Sequence, residues 1–349
     1  MKKYIIILVA IVAIASTSNL YAQSADVKTD PVAENMLVYQ RSVGGWPKAV
    51  KEVKVDYTKA LTADQKITTR NDSAAIDATI DNNATSREIN YLVAAFKQTG
   101  NKTYLASAQK GIRYLLKAQY ANGGWPQYYP DNRLYRGQIT FNDNAMINVM
   151  DILYNVSTKT KGFEVVDQSL VAPAADAVKR GIDCIVKTQI KVNGKLTAWN
   201  QQYDKDTLKP VVARKFELVG LSASESADIV AFLIRMPSPS AAVKTAITSA
   251  VEWFNASKIV GYRFDHIKDD SQPSKKDAVV VADPNSTIWA RYYDVDTNKP
   301  FFSGRDGIKR ADLKEVENER RAGYAWYGVW PQKILDKQYP AWLVKNSLK

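Results

Sequence analysis

One turn recurs along this chain and limits what it can fold into. Gln40-Arg41-Ser42-Val43-Gly44-Gly45-Trp46-Pro47 is answered by Gln119-Tyr120-Ala121-Asn122-Gly123-Gly124-Trp125-Pro126. A looser third copy runs from Gln189 through Asn193-Gly194 to Trp199. In the second and third copies a helical pattern ends in the Gln. A second phrase interleaves with the first. Thr79-Ile80-Asp81-Asn82-Asn83-Ala84 and Thr140-Phe141-Asn142-Asp143-Asn144-Ala145 share a Thr, an apolar residue, two Asp/Asn positions in opposite order, and Asn-Ala. Each stands just ahead of a helical pattern. The repeating unit is therefore a Trp turn, a loop, a helix led by the Asp/Asn phrase, and a second helix. Such units bury their apolar faces by stacking on one another. The expected fold is mainly α: an α/α toroid, or incomplete α/α barrel of repeated helix pairs, with short strands and long loops forming a cleft.

Apolar residues spaced three and four apart predict the helices. They cover 86–99, 104–119, 145–157, 173–189, 225–234 and 241–259, with Gly100, Gly123 and Gly261 as stops. Three long stretches, 48–77, 125–140 and 266–292, read as loops, with 279–282 extended enough to pair as a short strand. Long loops in a helical domain point to function. No Pro/Gly/Ser-rich linker divides the chain, so residues 23–349 read as one catalytic domain.

Residues 1–22 read as a secretory signal. Lys2 and Lys3 precede an apolar run from Tyr4 to Ala15, and cleavage is expected after Ala22. The run is short for a membrane span. A secreted or periplasmic protein is expected, with no membrane contact after signal removal. The one cysteine, Cys184, lies in a helical pattern and reads as a buried, inert thiol. The one histidine, His266, leaves no material for a His-rich metal site and little for a Ser-His-Asp triad. The formal net charge is +12. Such a charge suits a polyanion, nucleic acid or acidic polysaccharide, without choosing between them. No nucleic-acid module, zinc pattern or phosphate loop is present.

Three groups of residues carry candidate chemistry. Asp81, Asn82, Asp143 and Asn144 read first as helix caps. Brought together, they would also offer the oxygen ligands that calcium takes. Arg214 and Lys215 stand in the strand-like stretch 211–218. There Arg214 reads either as a partner of Glu217 or as a cation held in a cleft. Ser222 and Glu225 follow as a capping box. Arg291 and Arg305 lie among aromatic residues, where guanidinium forks bind carboxylates and flat rings suit sugars. Their plain alternatives are bridges from Arg291 to Asp294 and from Arg305 to Asp306. The run Tyr324–Trp330 reads as packing.

Taken in order, these segments resemble the pectate lyases of polysaccharide lyase family 10. They are Gly44-Gly45-Trp46-Pro47-Lys48, Thr79-Ile80-Asp81-Asn82, Asn122-Gly123-Gly124-Trp125-Pro126-Gln127, Thr140-Phe141-Asn142-Asp143, Ala213-Arg214-Lys215-Phe216-Glu217 and Phe301-Phe302-Ser303-Gly304-Arg305-Asp306-Gly307. The resemblance implies calcium-dependent β-elimination on polygalacturonate (de-esterified pectin). It implies Arg214 as the catalytic base and Asp143 and Asp81 as calcium ligands. Asp81, Asn82, Lys215, Arg291 and Arg305 would contact substrate. Nearby positive charge and desolvation are expected to help Arg214 lose its proton. The segment Trp199-Asn200-Gln201-Gln202-Tyr203-Asp204 departs from the family pattern and leaves the role of Asp204 open. A monomer without a nucleic-acid partner is expected. Two other readings remain: a glycoside hydrolase using Asp81 and Asp143 as acid and base, and a non-catalytic uronan-binding protein.

Overall fold

The Trp turn recurs because it makes the same structural tie four times. In the computed structural model, which describes residues 28–347, Trp46 donates its indole N–H to the Met36 carbonyl, Trp125 to Leu115, Trp199 to Ile185 and Trp289 to Phe254, each at 2.8 Å. Each acceptor lies in the last turn of a helix, where carbonyls have no partner within the helix. The turn's Gln makes a matching tie. The Gln40 amide donates to Gly44 and Ser107, Gln119 to Gly123 and Ala177, and Gln189 to Thr197 and Ala246. Each Gln thus joins its own turn to the second helix of the following pair. The fourth copy, at Trp289, has Lys258 after its helix instead. The expected leader, residues 1–22, lies outside the described residues.

The helices are α1 (Pro31–Tyr39), α2 (Ala63–Asn71), α3 (Ser86–Thr99), α4 (Lys102–Ala118), α5 (Ala145–Thr158), α6 (Val171–Thr188), α7 (Ala223–Arg235), α8 (Ala241–Ser257), α9 (Asn318–Gly323) and α10 (Tyr339–Lys345). Three hairpins, α3/α4, α5/α6 and α7/α8, repeat along the chain. Their first helices neighbour one another in the order α3, α5, α7, and their second helices in the order α4, α6, α8. One continuous apolar core lies between the two rows. Gly44 and Gly123 bend each turn against the following hairpin. Both have positive φ, and a Cβ at Gly123 would sit 2.0 Å from the Arg180 carbonyl oxygen. Among the described residues no helix is long and apolar enough to cross a membrane.

Short antiparallel bridges then line the turns up. The backbone N–H groups of Thr79, Thr140 and Ser222 donate to the carbonyls of Trp46, Trp125 and Trp199. The same three residues pair across with Tyr128, Gln202 and Tyr292, each three positions beyond the next Trp. Each Asp/Asn phrase is thereby stitched between two Trp turns. Ser222 is a third member of the series, with Thr replaced by Ser.

The periodicity located the paired helices well but missed pairing at a distance. The stretch 266–292 is not a loop. It belongs to a long antiparallel hairpin, Ile259–Lys268 with Lys276–Ala290, whose second strand also pairs with Tyr327–Gly328. Ile259 opens this hairpin rather than ending α8. The stretch 48–77 holds α2 and a small hairpin, Ala49–Val50 with Val53–Lys54. Cys184 is buried, and burial pushes its thiol up to about 12, so it is inert as expected.

Candidate active site

Neither Asp/Asn phrase caps its helix, which corrects the first reading of both. The residue preceding α3 is Thr85 and the one preceding α5 is Asn144, and neither side chain makes a capping bond. Each phrase instead folds into a tight 3-10 turn, Asp81–Asn83 and Asn142–Asn144. The backbones match. Asn82 has φ 50° and ψ 42°, and Asp143 has φ 50° and ψ 32°. Asn and Asp tolerate this left-handed conformation better than most residues. In both turns the first Asp/Asn position is buried and the second is exposed. The inverted order therefore buries Asp81 and exposes Asp143.

The turns pack side by side, and the second also touches α7. A cavity of about 720 Å³ opens beside them, lined by Lys48, Asn82, Asp143, Asn144, Glu225 and Arg291 among others. Asp81 is buried and joins the cavity only through its neighbour Asn82 and its partner Lys48, which line it. Its Oδ2 accepts an ion-pairing hydrogen bond from the Lys48 ammonium, and its Oδ1 is buried with no partner. Burial opposes the charge of Lys48, but Asp81 and Tyr128 outweigh it and hold the ammonium's pKa above the usual value. Asp143 is different. Its side chain is 40% exposed, and its one ion-pair contact among the described residues, with Arg291, is 3.6 Å long. Desolvation first, then the charge of Glu225, pushes its carboxyl above the usual range.

Glu225 is the centre of a buried network, not one half of a capping box. Ser222 makes no capping bond to the α7 backbone and donates its hydroxyl to Glu225 instead. Gln201 donates to Glu225 at 3.1 Å and to Asn142 at 2.7 Å. Arg291 pairs with Glu225 and stacks 4.8 Å from the centre of the Tyr324 ring. Burial opposes ionisation of Glu225, and Arg291 with the hydrogen bonds overcomes it, so its carboxyl stays below the usual range. Arg291 does not bridge to Asp294, which pairs with Lys309 at 2.6 Å.

A second cluster surrounds Phe216. The guanidinium carbons of Arg214, Arg305 and Arg320 lie 5.0, 4.8 and 4.4 Å from its ring centre. Arg214 pairs with Glu217 at 2.5 Å. The hydrogen bond from Arg214 to Glu217 raises the Arg214 pKa, and Tyr135 and Asp81 add to it. The lowering expected of this pKa is reversed by the hydrogen bond to Glu217. Arg305 bridges to Glu319 at 3.1 Å rather than to Asp306, which pairs with Arg310 at 2.5 Å. Lys215 is exposed on the same side, near Asp306, where its charge helps lower the Asp306 carboxyl. The structure thus brings Asn82, Asp143 and Arg291 to one cavity, with the buried Asp81 held by Lys48, which also lines it. Arg214, Lys215 and Arg305 gather around Phe216 beside it.

Sequence similarity places this arrangement. The sequence profile of the pectic acid lyase family matches residues 40–335. The chain belongs to the pectic acid lyase family. No curated protein matches the chain. In structure this lyase is similar to the family 10 polysaccharide lyase from Cellvibrio cellulosa, at 32% identity and a TM-score of 0.76, with 91% of this chain and 92% of that one covered. It is equally similar to an aspartate-to-alanine mutant of that enzyme in complex with trigalacturonic acid, at 33% identity and a TM-score of 0.75, covering 87% and 90%. The protein is a polysaccharide lyase.

Two site residues of this lyase escaped the sequence. Glu225 had a capping spacing that hid it. Arg320 carried no motif, yet it is buried between Phe216, Tyr324 and Trp326, with no carboxylate at ion-pair distance among the described residues. Its one side-chain hydrogen bond among them is to the Ser303 carbonyl, at 3.2 Å. Burial, aided by Arg305, shifts its pKa below the usual arginine value. The signal for it lies in the flanking aromatics, Tyr324 and Trp326. Asp204 acts locally, and its Oδ1 accepts from the Thr207 N–H and hydroxyl at 2.7 and 2.8 Å. Asp294 does the same with Thr297 in the fourth copy.

No closed metal centre is built into the described part of the chain. Among the described residues no group of three or more His, Cys, Asp or Glu side chains is placed to hold a metal. The lyase offers a hard cation an oxygen-only set instead: the exposed Asp143 carboxylate and the Asn82 and Asn144 amides, which line the cavity, with the buried, unpartnered Oδ1 of Asp81 beside Asn82. Calcium takes six to eight oxygens. This donor set fits an ion whose remaining ligands come from water and from an acidic substrate.

Proposed function

We propose that the protein is a secreted pectate lyase that cleaves polygalacturonate by calcium-assisted β-elimination and releases 4,5-unsaturated oligogalacturonates. The mature chain acts as one domain, a monomeric, incomplete α/α toroid built on the three helix hairpins. The observation that carries the reading is an exposed carboxylate, Asp143, facing a cavity that Lys48 and Arg291 also line, with Arg214, Arg305 and Arg320 gathered on Phe216 beside it. That charge pattern suits a polyanion whose reacting sugar carries a carboxylate. The relative whose complex contains trigalacturonic acid supports the same substrate class.

Asp143 and Asp81 would hold the calcium ion, which when bound neutralises the uronate carboxylate and acidifies the adjoining C5 proton. Asn82, Lys215, Arg291, Arg305 and Arg320, which has no carboxylate partner among the described residues, orient the uronate chain. Arginine forks match carboxylate geometry, and a buried guanidinium without an anion is ready for one. Arg214, having first given its own proton to water, removes the C5 proton. The electron pair forms the C4–C5 double bond, the C4–O bond breaks, and the leaving oxygen takes a proton from water. Arg214 must first part from Glu217, because that pair holds it charged. The neighbouring Arg305 and Arg320, on the same Phe216 ring, then favour its neutral form.

Ultraviolet absorbance of unsaturated product on polygalacturonate tests the reading. Product should appear with calcium and vanish with a chelator; a hydrolase or a simple uronan binder gives none in either case. The Arg214→Ala variant should form no product while binding polygalacturonate in a calcium-dependent manner. Full activity in that variant would remove Arg214 from the mechanism.

A further inference from the structure

Residues two positions after each Trp of the repeat, Lys48, Gln127, Gln201 and Arg291, are set by the same turn. Three of them reach the acid-bearing phrases. Gln201 donates to Asn142 and Glu225, Arg291 to Glu225, and Lys48 to Asp81. The two cations at these positions differ in freedom. Arg291 is buried, stacked on Tyr324 and neutralised by Glu225. Lys48 is 36% exposed, lines the cavity and has no carboxylate partner besides Asp81 among the described residues. A flexible four-carbon stem lets its ammonium swing.

We propose that Lys48 is a built-in counter-ion that keeps the divalent cation off Asp81 before substrate binds and releases Asp81 when a substrate carboxylate arrives. The inference rests on the calcium-assisted reading above. A divalent cation reaching Asp81 meets an ammonium already seated on that carboxylate. Two like charges a few ångströms apart in a poorly solvated cleft repel strongly. A uronate carboxylate entering the cavity gives Lys48 a second anion to pair with. Asp81 is then free to complete the oxygen set that Asp143 begins. Metal and substrate consequently strengthen each other's binding, and thermodynamic linkage makes the factor the same in both directions. Lys48 acts through Asp81 and the substrate and is a positioning residue for the reaction.

Calcium titration calorimetry without polysaccharide, on the wild type, Lys48→Gln and Lys48→Arg, tests this directly. Lys48→Gln should bind calcium at least about tenfold more tightly than the wild type, while Lys48→Arg stays near it. KM for polygalacturonate should rise in Lys48→Gln more than kcat falls. A substrate-free calcium affinity in Lys48→Gln that equals or falls below that of the wild type overturns the proposal. A second arm needs no variant. Trigalacturonate, added where absorbance shows no cleavage, should tighten calcium binding by the wild type; indifference to it is equally fatal. Should chelation leave product formation on polygalacturonate intact, the calcium reading itself fails and Lys48's role falls with it. Should chelation abolish product while Lys48→Gln leaves calcium affinity unchanged, the role of Lys48 alone is wrong.

Discussion

The two Asp/Asn turns are the same piece of backbone with opposite chemistry. Both bend through a left-handed residue at the same step, and both stand between consecutive Trp turns. At Asp81 the acid takes the buried step, pairs with Lys48 and leaves one oxygen unsatisfied. At Asp143 the acid takes the open step and faces the cavity, raised in pKa by desolvation and Glu225. A duplicated turn can thus yield two unlike functional groups by exchanging two neighbouring residues. One carboxylate is paired with a lysine of the protein and the other stands exposed at the cavity.

The sharpest way to break this comparison is Asp143→Asn. It should lower kcat/KM on polygalacturonate by about 10³-fold, on the scale of losing one charge-stabilising group at a reacting centre. Its melting temperature should hold or rise, because the fold disfavours the Asp143 charge. A large loss of stability would show Asp143 to be structural. Next comes Asp81→Asn, expected to cost activity and also about 1–3 kcal/mol in denaturant unfolding, since it strands Lys48 and alters a buried site. If stability is untouched, the buried pair is not a fixed part of the fold. The exchange Asp81→Asn with Asn82→Asp moves the first acid to the open step. It should leave activity as low as Asp81→Asn alone; recovery would mean that position within the turn is irrelevant.

The smallest expected effect concerns Asp228, on α7, whose carboxyl is pushed up to about 6, chiefly by burial. An acid raised in the folded state contributes stability that is complete below its unfolded pKa, near 4, and is lost as pH rises through about 6. Melting of Asp228→Asn across that window should therefore show less decline than the wild type. The gain at neutral pH should be about 1–2 kcal/mol. Parallel melting curves for the two proteins would remove Asp228 from the linkage.

Much of this was legible along the chain because it is local. Helix spacing located α3 to α8, and the Gln and Trp of each turn were visible as repeats before their hydrogen bonds were known. The acids of the two phrases were also visible, but not their different burial. Capping was a reasonable expectation for Asp81 and Asp143, yet the chain takes a 3-10 turn there instead. The fourth Trp turn was hidden because the hairpin 259–290 separates Trp289 from α8, and pairing of distant strands leaves no helical period.

The partners of the arginines were beyond reach for a related reason. Arg214 has its partner three residues away, and the sequence offered it. Arg291 passes over nearby Asp294 for Glu225, and Arg320 meets Phe216 across more than a hundred residues. By itself the sequence determined the repeating helix pairs, the turns that join them and the inventory of acids and cations, because periodicity and turn chemistry act over a few residues. Only the tertiary structure decided which acid is buried and which is exposed, and which guanidinium, among the described residues, meets a carboxylate and which does not. Those outcomes depend on burial and on charges contributed by distant segments, which spacing along the chain does not record.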